Sequence, residues 1–359
     1  MGSILLLEDG RSFEGEAFGA RGTRVGEVVF NTAMSGYQEV LTDPSYREQI
    51  VVMTTSHVGN YGVNEDDAES DRVHVSGFVA RSFSRLHSNH RATAGLGQYL
   101  RSASVPALHG IDTRALVRHI RDKGAMKGVI STDGTPAAQL WALLESWPGM
   151  EGRALAQEVS TPAPYVYADP EKPRARVTVV DGGSKRNILR LLAQAGCRVR
   201  VEPLGAPAEQ WIADSDLLML TNGPGDPAAL PGPIAELKRA LGKLPMVGIC
   251  LGNQLLGLAL GARTYKLKFG HRGANHPVRD LETGRVEITS QNHGFCVDAE
   301  GILAAGGVVT HVNLNDNTLA GFRHDGLRVM CVQFHPEACP GPHDAQHLIV
   351  ERYLRFAGF

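Results

Sequence analysis

From residue 175 onward the chain repeats one pattern, and that repetition constrains the fold more than any other feature. RVTVVDGG reads as a strand, SKRNILRLLAQAG as a helix closed by Gly196, CRVRVEP as a strand and PAEQWIADS as a short helix. DLLMLTNGPGDP and LPMVGIC are strands again, separated by the helical PIAELKRALG. Strands that alternate with helices through short connections predict an α/β fold, a mainly parallel sheet flanked by helices on both faces. RVEITSQNHGFCVD and LRVMCVQFHPEA read as late strands, and HDAQHLIVERYLRFAGF as a C-terminal helix. The first half lacks this pattern. SILLLEDGRSFEGEAFG reads as a hairpin, EVVFNTAMSGYQEV mixes strand and turn signals, and a helical period arrives late, in IDTRALVRHIRDKG. That half is predicted to be a separate α+β N-terminal domain. Between the two, TPAPYVYADPEKPRA carries four prolines and neither a strand nor a helix period, which predicts a linker. The expected boundaries are residues 1–152 for the N-terminal domain, 153–174 for the linker and 175–359 for the α/β domain.

Composition narrows the class of partner. With 359 residues, 43% hydrophobic and 21% charged, there is material for two cores, and a net charge of −2 supplies no basic excess to recruit nucleic acid or an anionic membrane. Cysteines 197, 250, 296, 331 and 339 form an odd set without framework spacing, as expected of a reducing, cytoplasmic setting. MGSILLLEDG has too short an apolar stretch for a secretory leader and Leu6 where a myristoylation signal takes Ser or Thr, so neither is expected. The most apolar window, LPMVGICLGNQLLGLALGA, carries Pro245, Asn253, Gln254 and several glycines. It reads as a buried strand and helix, not a membrane span.

That window contains the strongest chemical signal. Gly248-Ile249-Cys250-Leu251-Gly252 has the G-x-nucleophile-x-G form of a strand-turn-helix elbow, and the flanking LPMVGI and NQLLGLALGA supply the strand and the helix. At a helix N-terminus, unpaired backbone N–H groups favour an anion. A buried cysteine that only packs would look similar in this stretch. FHPEA, residues 334–338, supplies a base: in an extended segment His335 and Glu337 project to one side, so the carboxylate can orient the imidazole. TNGPGDP, with Gly223 and Gly225, offers backbone donors for an oxyanion, although a plain tight turn needs the same residues. Cys331, His335, Cys339 and His343 recur every fourth residue and could ligate zinc. Pro336, Pro340 and Pro342 forbid the continuous helix that would align them, so no metal is expected. GGSK at 182–185 has the wrong order for a phosphate loop, and no other segment supplies one.

GICLGNQ, QNHGF at 291–295 and FHPEA, in that order, resemble the glutaminase domain of triad-type class I glutamine amidotransferases. GEVVFNTAMSGYQEVLTDPSYREQIV at 26–51, HVGNYGVNEDDAES, GIDTR, KFGHRGANHPV at 268–278 and HPEACPGPHDA at 335–345 resemble the small-subunit family of carbamoyl phosphate synthetases. The resemblance runs over essentially the whole chain. It implies a glutaminase that hydrolyses the side-chain amide of L-glutamine and passes ammonia through a tunnel to a large synthetase subunit. There bicarbonate and ATP give carbamoyl phosphate for arginine and pyrimidine biosynthesis. ATP and Mg would act on that partner, with no cofactor in this chain, and a higher oligomer of heterodimers is expected.

The same resemblance implies that Cys250 forms a glutamyl thioester, that His335 moves the protons and that Glu337 orients it. It places the N–H groups of Gly223 and Leu251 at the oxyanion, and Gly225, Gln254, Asn292, Gly294, Phe295 and Ser45 around the rest of the glutamine. One position departs: many members read LGHQ where this chain reads LGNQ, so Asn253 stands in place of a histidine and is expected to tune the surroundings of Cys250. Some relatives have lost the cysteine and depend on free ammonia; this chain has kept it. Two readings compete: a stand-alone cysteine hydrolase of γ-glutamyl or amide substrates, and a binding module with an inert site.

Overall fold

The structure is a computed structural model that describes residues 2–359. Contacts divide the chain into two units: residues up to Glu151 together with Lys268–Arg272, and Gly152–Leu267 together with Gly273–Phe359.

The first unit is built on a closed barrel of seven strands. Their order is Ser3–Leu7, Ser12–Ala17, Ala107–His109, Gly77–Val79, Gln49–Met53, Thr23–Asn31 and Met126–Ser131, which pairs again with the first. The predicted hairpin is present, with Leu5 opposite Phe13. Alternate side chains feed two cores, as the two-residue repeat of a strand requires. Leu5, Leu7, Val28, Ile50 and Val79 join Leu116 and Ile120 of helix Thr113–Lys123. Val29, Val51 and Phe78 join Tyr37, Leu41 and Leu96. The helix begins where Asp112 accepts a hydrogen bond from the Ala115 N–H at 2.9 Å.

The second unit is a ten-stranded sheet in the order Tyr165–Ala168, Arg198–Pro203, Arg176–Asp181, Leu217–Leu220, Met246–Ile249, Val329–Val332, Leu319–His324, Val308–Asn313, Thr264–Asp280 and Val286–Val297. The run from Arg198–Pro203 to Val329–Val332 is parallel. Beyond it the pairings through Thr264–Asp280 are antiparallel. Parallel neighbours need long crossovers, whereas the late strands from Val308 to Val332 are joined by short turns that reverse the chain, so the parallel region is confined to the centre. Its alternating residues reach both faces. Val177, Val179, Met219, Val247 and Ile249 pack with helix Arg186–Gln194 and with Leu348, Ile349 and Tyr353. Val180, Leu218, Leu220 and Met246 pack on the opposite face with Trp211, Leu237, Leu255 and Leu256. Each such side chain, fully buried, contributes about 1.5–3 kcal/mol, and together they fix the strand ends that carry the site.

Residues 153–174 differ from the expected linker. They fall in the second unit, where Tyr165–Ala168 pairs antiparallel with Arg198–Pro203, Tyr165 opposite Val201. Three of those four side chains are exposed, so an edge strand held by backbone bonds left no hydrophobic period to read. The C-terminal helix opens with wide π turns over Leu348–Tyr353 before Leu354–Ala357 winds as α-helix. Among the described residues no helix is long and apolar enough to cross a membrane.

Candidate active site

Four neighbouring parallel strands end in the segments that carry the candidate chemistry, where open α/β sheets place their crevices. Arg176–Asp181 runs into Gly182–Lys185, Leu217–Leu220 into the TNGPG turn, Met246–Ile249 into Cys250, and Val329–Val332 into His335 and Glu337.

Cys250 stands at the N-terminal cap of helix Leu251–Ala259 with φ 54° and ψ −100°. A non-glycine residue there costs about 1–3 kcal/mol, so its surroundings must impose the conformation. They do so through backbone bonds. The Cys250 N–H donates to Val332 O at 2.9 Å, the Gln254 N–H to Cys250 O at 3.2 Å, and the Gly252 N–H to Thr221 O at 3.0 Å. The flanking glycines let strand and helix close on each other: a Cβ on Gly248 would lie 2.7 Å from the Gly252 carbonyl carbon, and one on Gly252 would fall on the Leu220 carbonyl oxygen. Cys250 is only 2% exposed and belongs to a core cluster, so it is both packed and held on an elbow. Its Sγ faces the Asn292 carbonyl oxygen at 3.6 Å.

His335 and Glu337 form a fully buried pair, Nδ1 to Oε1 at 2.6 Å. With Nδ1–H committed to the carboxylate, Nε2 is the ring atom left to exchange a proton. It has no regular hydrogen-bond partner, and the Cys250 sulfur acts on it by charge and a looser hydrogen bond. Burial and the Lys185 ammonium oppose an imidazolium here; the charges of Glu337 and Cys250 outweigh them and push His335 up to about 10. Burial alone would raise Glu337, but the charges of His335 and Lys185 hold it down to about 2.

Lys185 is the residue that sequence reasoning missed. Its Nζ lies 3.3 Å from Glu337 Oε1. Its backbone N–H donates to Asn222 Oδ1 at 3.1 Å, and Asn222 Nδ2 donates to Gly183 O at 2.9 Å. The Asn187 side chain completes the frame, donating to the Glu337 carbonyl at 2.6 Å. The available signal was positional: GGSK follows a strand end just as TNG and GIC do.

The other candidates fall as follows. A Cβ on Gly223 would land on the Gly182 carbonyl and lie 2.7 Å from Leu251 Cδ2, so these two turns press together over the elbow helix. The Leu251 N–H opens that helix and has no carbonyl four residues back to bond. Gly225, at φ 92°, packs on Arg153 and Leu155. Asn292, Gly294 and Phe295 lie on strand Val286–Val297, and Gln254 Nε2 donates to Phe295 O at 2.8 Å and to Gln333 Oε1 at 3.3 Å. Ser45 lies in the first unit, on the single turn Pro44–Tyr46, its N–H bonded to Asp43 Oδ1 at 2.9 Å. Asn253 directs its amide to Gln333 Oε1 at 3.1 Å. Cys331 points into the core, its Sγ toward Phe322 O, and among the described residues no group of three His, Cys, Asp or Glu side chains could hold a metal ion.

Comparison with known proteins assigns a family to both parts of the chain. Residues 5–130 match the family model for the carbamoyl-phosphate synthase small chain, CPSase domain, and residues 178–352 match glutamine amidotransferase class-I. The chain is 50% identical to a carbamoyl phosphate synthase small chain of Syntrophotalea carbinolica, over 98% of this chain and 97% of that one. It is 51% identical to the protein of the same name from Thermus thermophilus, over 98% and 92%. A third, from Solidesulfovibrio magneticus, is 49% identical over 97% and 96%. With the elbow cysteine, the His–Glu pair and both domains in place, the chain belongs to the carbamoyl phosphate synthase small chain family.

Proposed function

We propose that this chain is the glutaminase subunit of a carbamoyl phosphate synthetase. The observation that carries the reading is the strained Cys250 at a helix N-terminus beside the buried His335–Glu337 pair. His335 takes the thiol proton as the Cys250 sulfur attacks the side-chain amide carbon of L-glutamine, and the carbonyl oxygen, now an oxyanion, takes the N–H groups of Gly223 and Leu251. His335 gives its Nε2 proton to the departing nitrogen, ammonia leaves, and a glutamyl thioester remains. His335 then takes a proton from water, hydroxide adds to the thioester, and glutamate is released with the thiol regenerated. Glu337 keeps the imidazole oriented through both halves, and Lys185 holds Glu337. Gly225, Gln254, Asn292, Gly294 and Phe295 shape the glutamine pocket, and Ser45 joins this reading on family resemblance alone.

Ammonia passes to a large partner subunit, which uses bicarbonate, ATP and Mg; this chain needs no cofactor. A cytoplasmic assembly of heterodimers fits the reading. The test uses the holoenzyme. Cys250→Ser should abolish glutamine-dependent carbamoyl phosphate synthesis and leave ammonia-dependent synthesis intact. Glutamine-dependent synthesis surviving at the wild-type rate would overturn the assignment.

A further inference from the structure

Next to Gln254 of the proposed glutamine pocket lie two buried amides to which the mechanism gives no role, Asn253 and Gln333, and the three form one cluster. Asn253, Gln254 and Gln333 are 0%, 3% and 1% exposed. Gln333 Oε1 accepts from Asn253 Nδ2 at 3.1 Å and from Gln254 Nε2 at 3.3 Å, while the second Nε2 hydrogen of Gln254 goes to Phe295 O at 2.8 Å. The oxygen ties the elbow helix to the Gln333 segment, and the Gln254 amide ties the same helix to a third segment, so the cluster joins three parts of the chain that are remote in sequence. The elbow helix carries Cys250, three residues before Asn253; Gln333 precedes His335 by two residues; and strand Val286–Val297 brings the Asn292 carbonyl against the Cys250 sulfur.

The cluster is poorly built as a stability device. Asn253 Oδ1 and Gln333 Nε2 are buried without hydrogen-bond partners, and each such orphan is costly. What the arrangement does supply is a fixed separation between the segment holding the nucleophile and the segment holding the base. His335 Nε2 has no regular partner of its own, and its backbone N–H is held by Ser290 O at 2.9 Å, so its approach to Cys250 is set by the backbone on either side. The Gln333 tether acts on that backbone directly.

We propose that Asn253 and Gln333 are positioning residues that set the Cys250–His335 approach, with Asn253 acting as a hydrogen-bond donor to Gln333 Oε1. The proposal rests on the glutaminase reading above. It also redefines the Asn253 departure: the side chain acts on the base's segment, through Gln333, and not on the thiol beside it. A histidine at 253 would keep an N–H donor for the same oxygen.

The experiment compares Asn253→Ala, Gln333→Met and Asn253→His in the holoenzyme, with Cys250→Ser as the control for the underlying reading. A misplaced base costs rate before it costs binding. Glutamine-dependent kcat should therefore fall on the order of tenfold or more in Asn253→Ala and Gln333→Met, with KM changed less than about twofold and ammonia-dependent synthesis unchanged. Inactivation of Cys250 by iodoacetamide should lose its wild-type pH profile in both variants, and Asn253→His should recover both kcat and the profile. Variants that lower the unfolding midpoint while keeping kcat and the alkylation profile would overturn the positioning role. If Cys250→Ser keeps glutamine-dependent synthesis, the glutaminase reading fails instead, so the two failures are told apart.

Discussion

Replacing Glu337 by Gln removes one charge and almost no volume, so its effect on the site should be almost wholly electrostatic. The carboxylate oxygen lies 2.6 Å from His335 Nδ1. Two unit charges about 4 Å apart at an effective dielectric of about 20 interact by about 4 kcal/mol, or about three pH units of proton affinity. Burial and Lys185, which already disfavour the imidazolium, then act with less opposition, and His335 falls from about 10 toward a neutral ring at physiological pH. The assay is the rate of Cys250 alkylation by iodoacetamide from about pH 5 to about pH 9, read beside glutamine hydrolysis. Wild type keeps His335 an imidazolium throughout this range, whereas in the variant the ring loses its proton within it, so the variant's rate should match wild type near pH 5 and fall below it above about pH 7. Stability has its own signature. The depressed Glu337 contributes stability present above about 4.5 and lost as pH falls through about 2. The raised His335 contributes stability present below about 6.5 and lost as pH rises through about 10. The pair therefore stabilises most between pH 4.5 and 6.5, and the urea midpoint of Glu337→Gln should fall furthest below wild type in that window. An alkylation profile in Glu337→Gln that coincides with that of wild type at every pH would refute the electrostatic account.

Other perturbations test separate parts. Lys185→Met strips a buried carboxylate of its ammonium, so stability should drop by about 3–5 kcal/mol in urea unfolding, and pairing it with Glu337→Gln should recover much of that without recovering glutaminase activity. Gly223→Ala drives a methyl into the Gly182 carbonyl and against Leu251; overpacking of about 1–3 kcal/mol should accompany loss of glutamine hydrolysis, with ammonia-dependent synthesis retained by the holoenzyme. Tyr353→Phe removes the buried hydroxyl that donates to Gly248 O at 3.3 Å and should cost about 1 kcal/mol in the same unfolding assay. Asp112→Ala loses the cap of helix Thr113–Lys123, about 1 kcal/mol, while glutamine turnover stays at wild-type level.

Whether a feature could be read from the sequence depended on how far apart its parts lie in the chain. The elbow is local: two glycines, a cysteine and the change from strand to helix fall within a few residues, and His335 and Glu337 meet because extended backbone brings alternate residues to one side. The alternating strands and helices from Arg176 to Ile249 were legible for the same reason. Lys185 was not, because GGSK means nothing until the Arg176–Asp181 strand is placed beside Leu217–Leu220 and, through it, near the strand that delivers Glu337. Tyr165–Ala168 was hidden by its edge position, where backbone pairing replaces side-chain burial. Asn253 shows the same limit within the site itself. Its neighbour in sequence is the nucleophile, and proximity along the chain suggested that it acts on the thiol. Its amide is instead bonded to Gln333 Oε1, on the strand end that carries the base, a partner that spacing along the chain does not indicate. Sequence motifs thus pointed to the proposed nucleophile and base, while the residues proposed to set the distance between them meet only through the order of strands in the sheet.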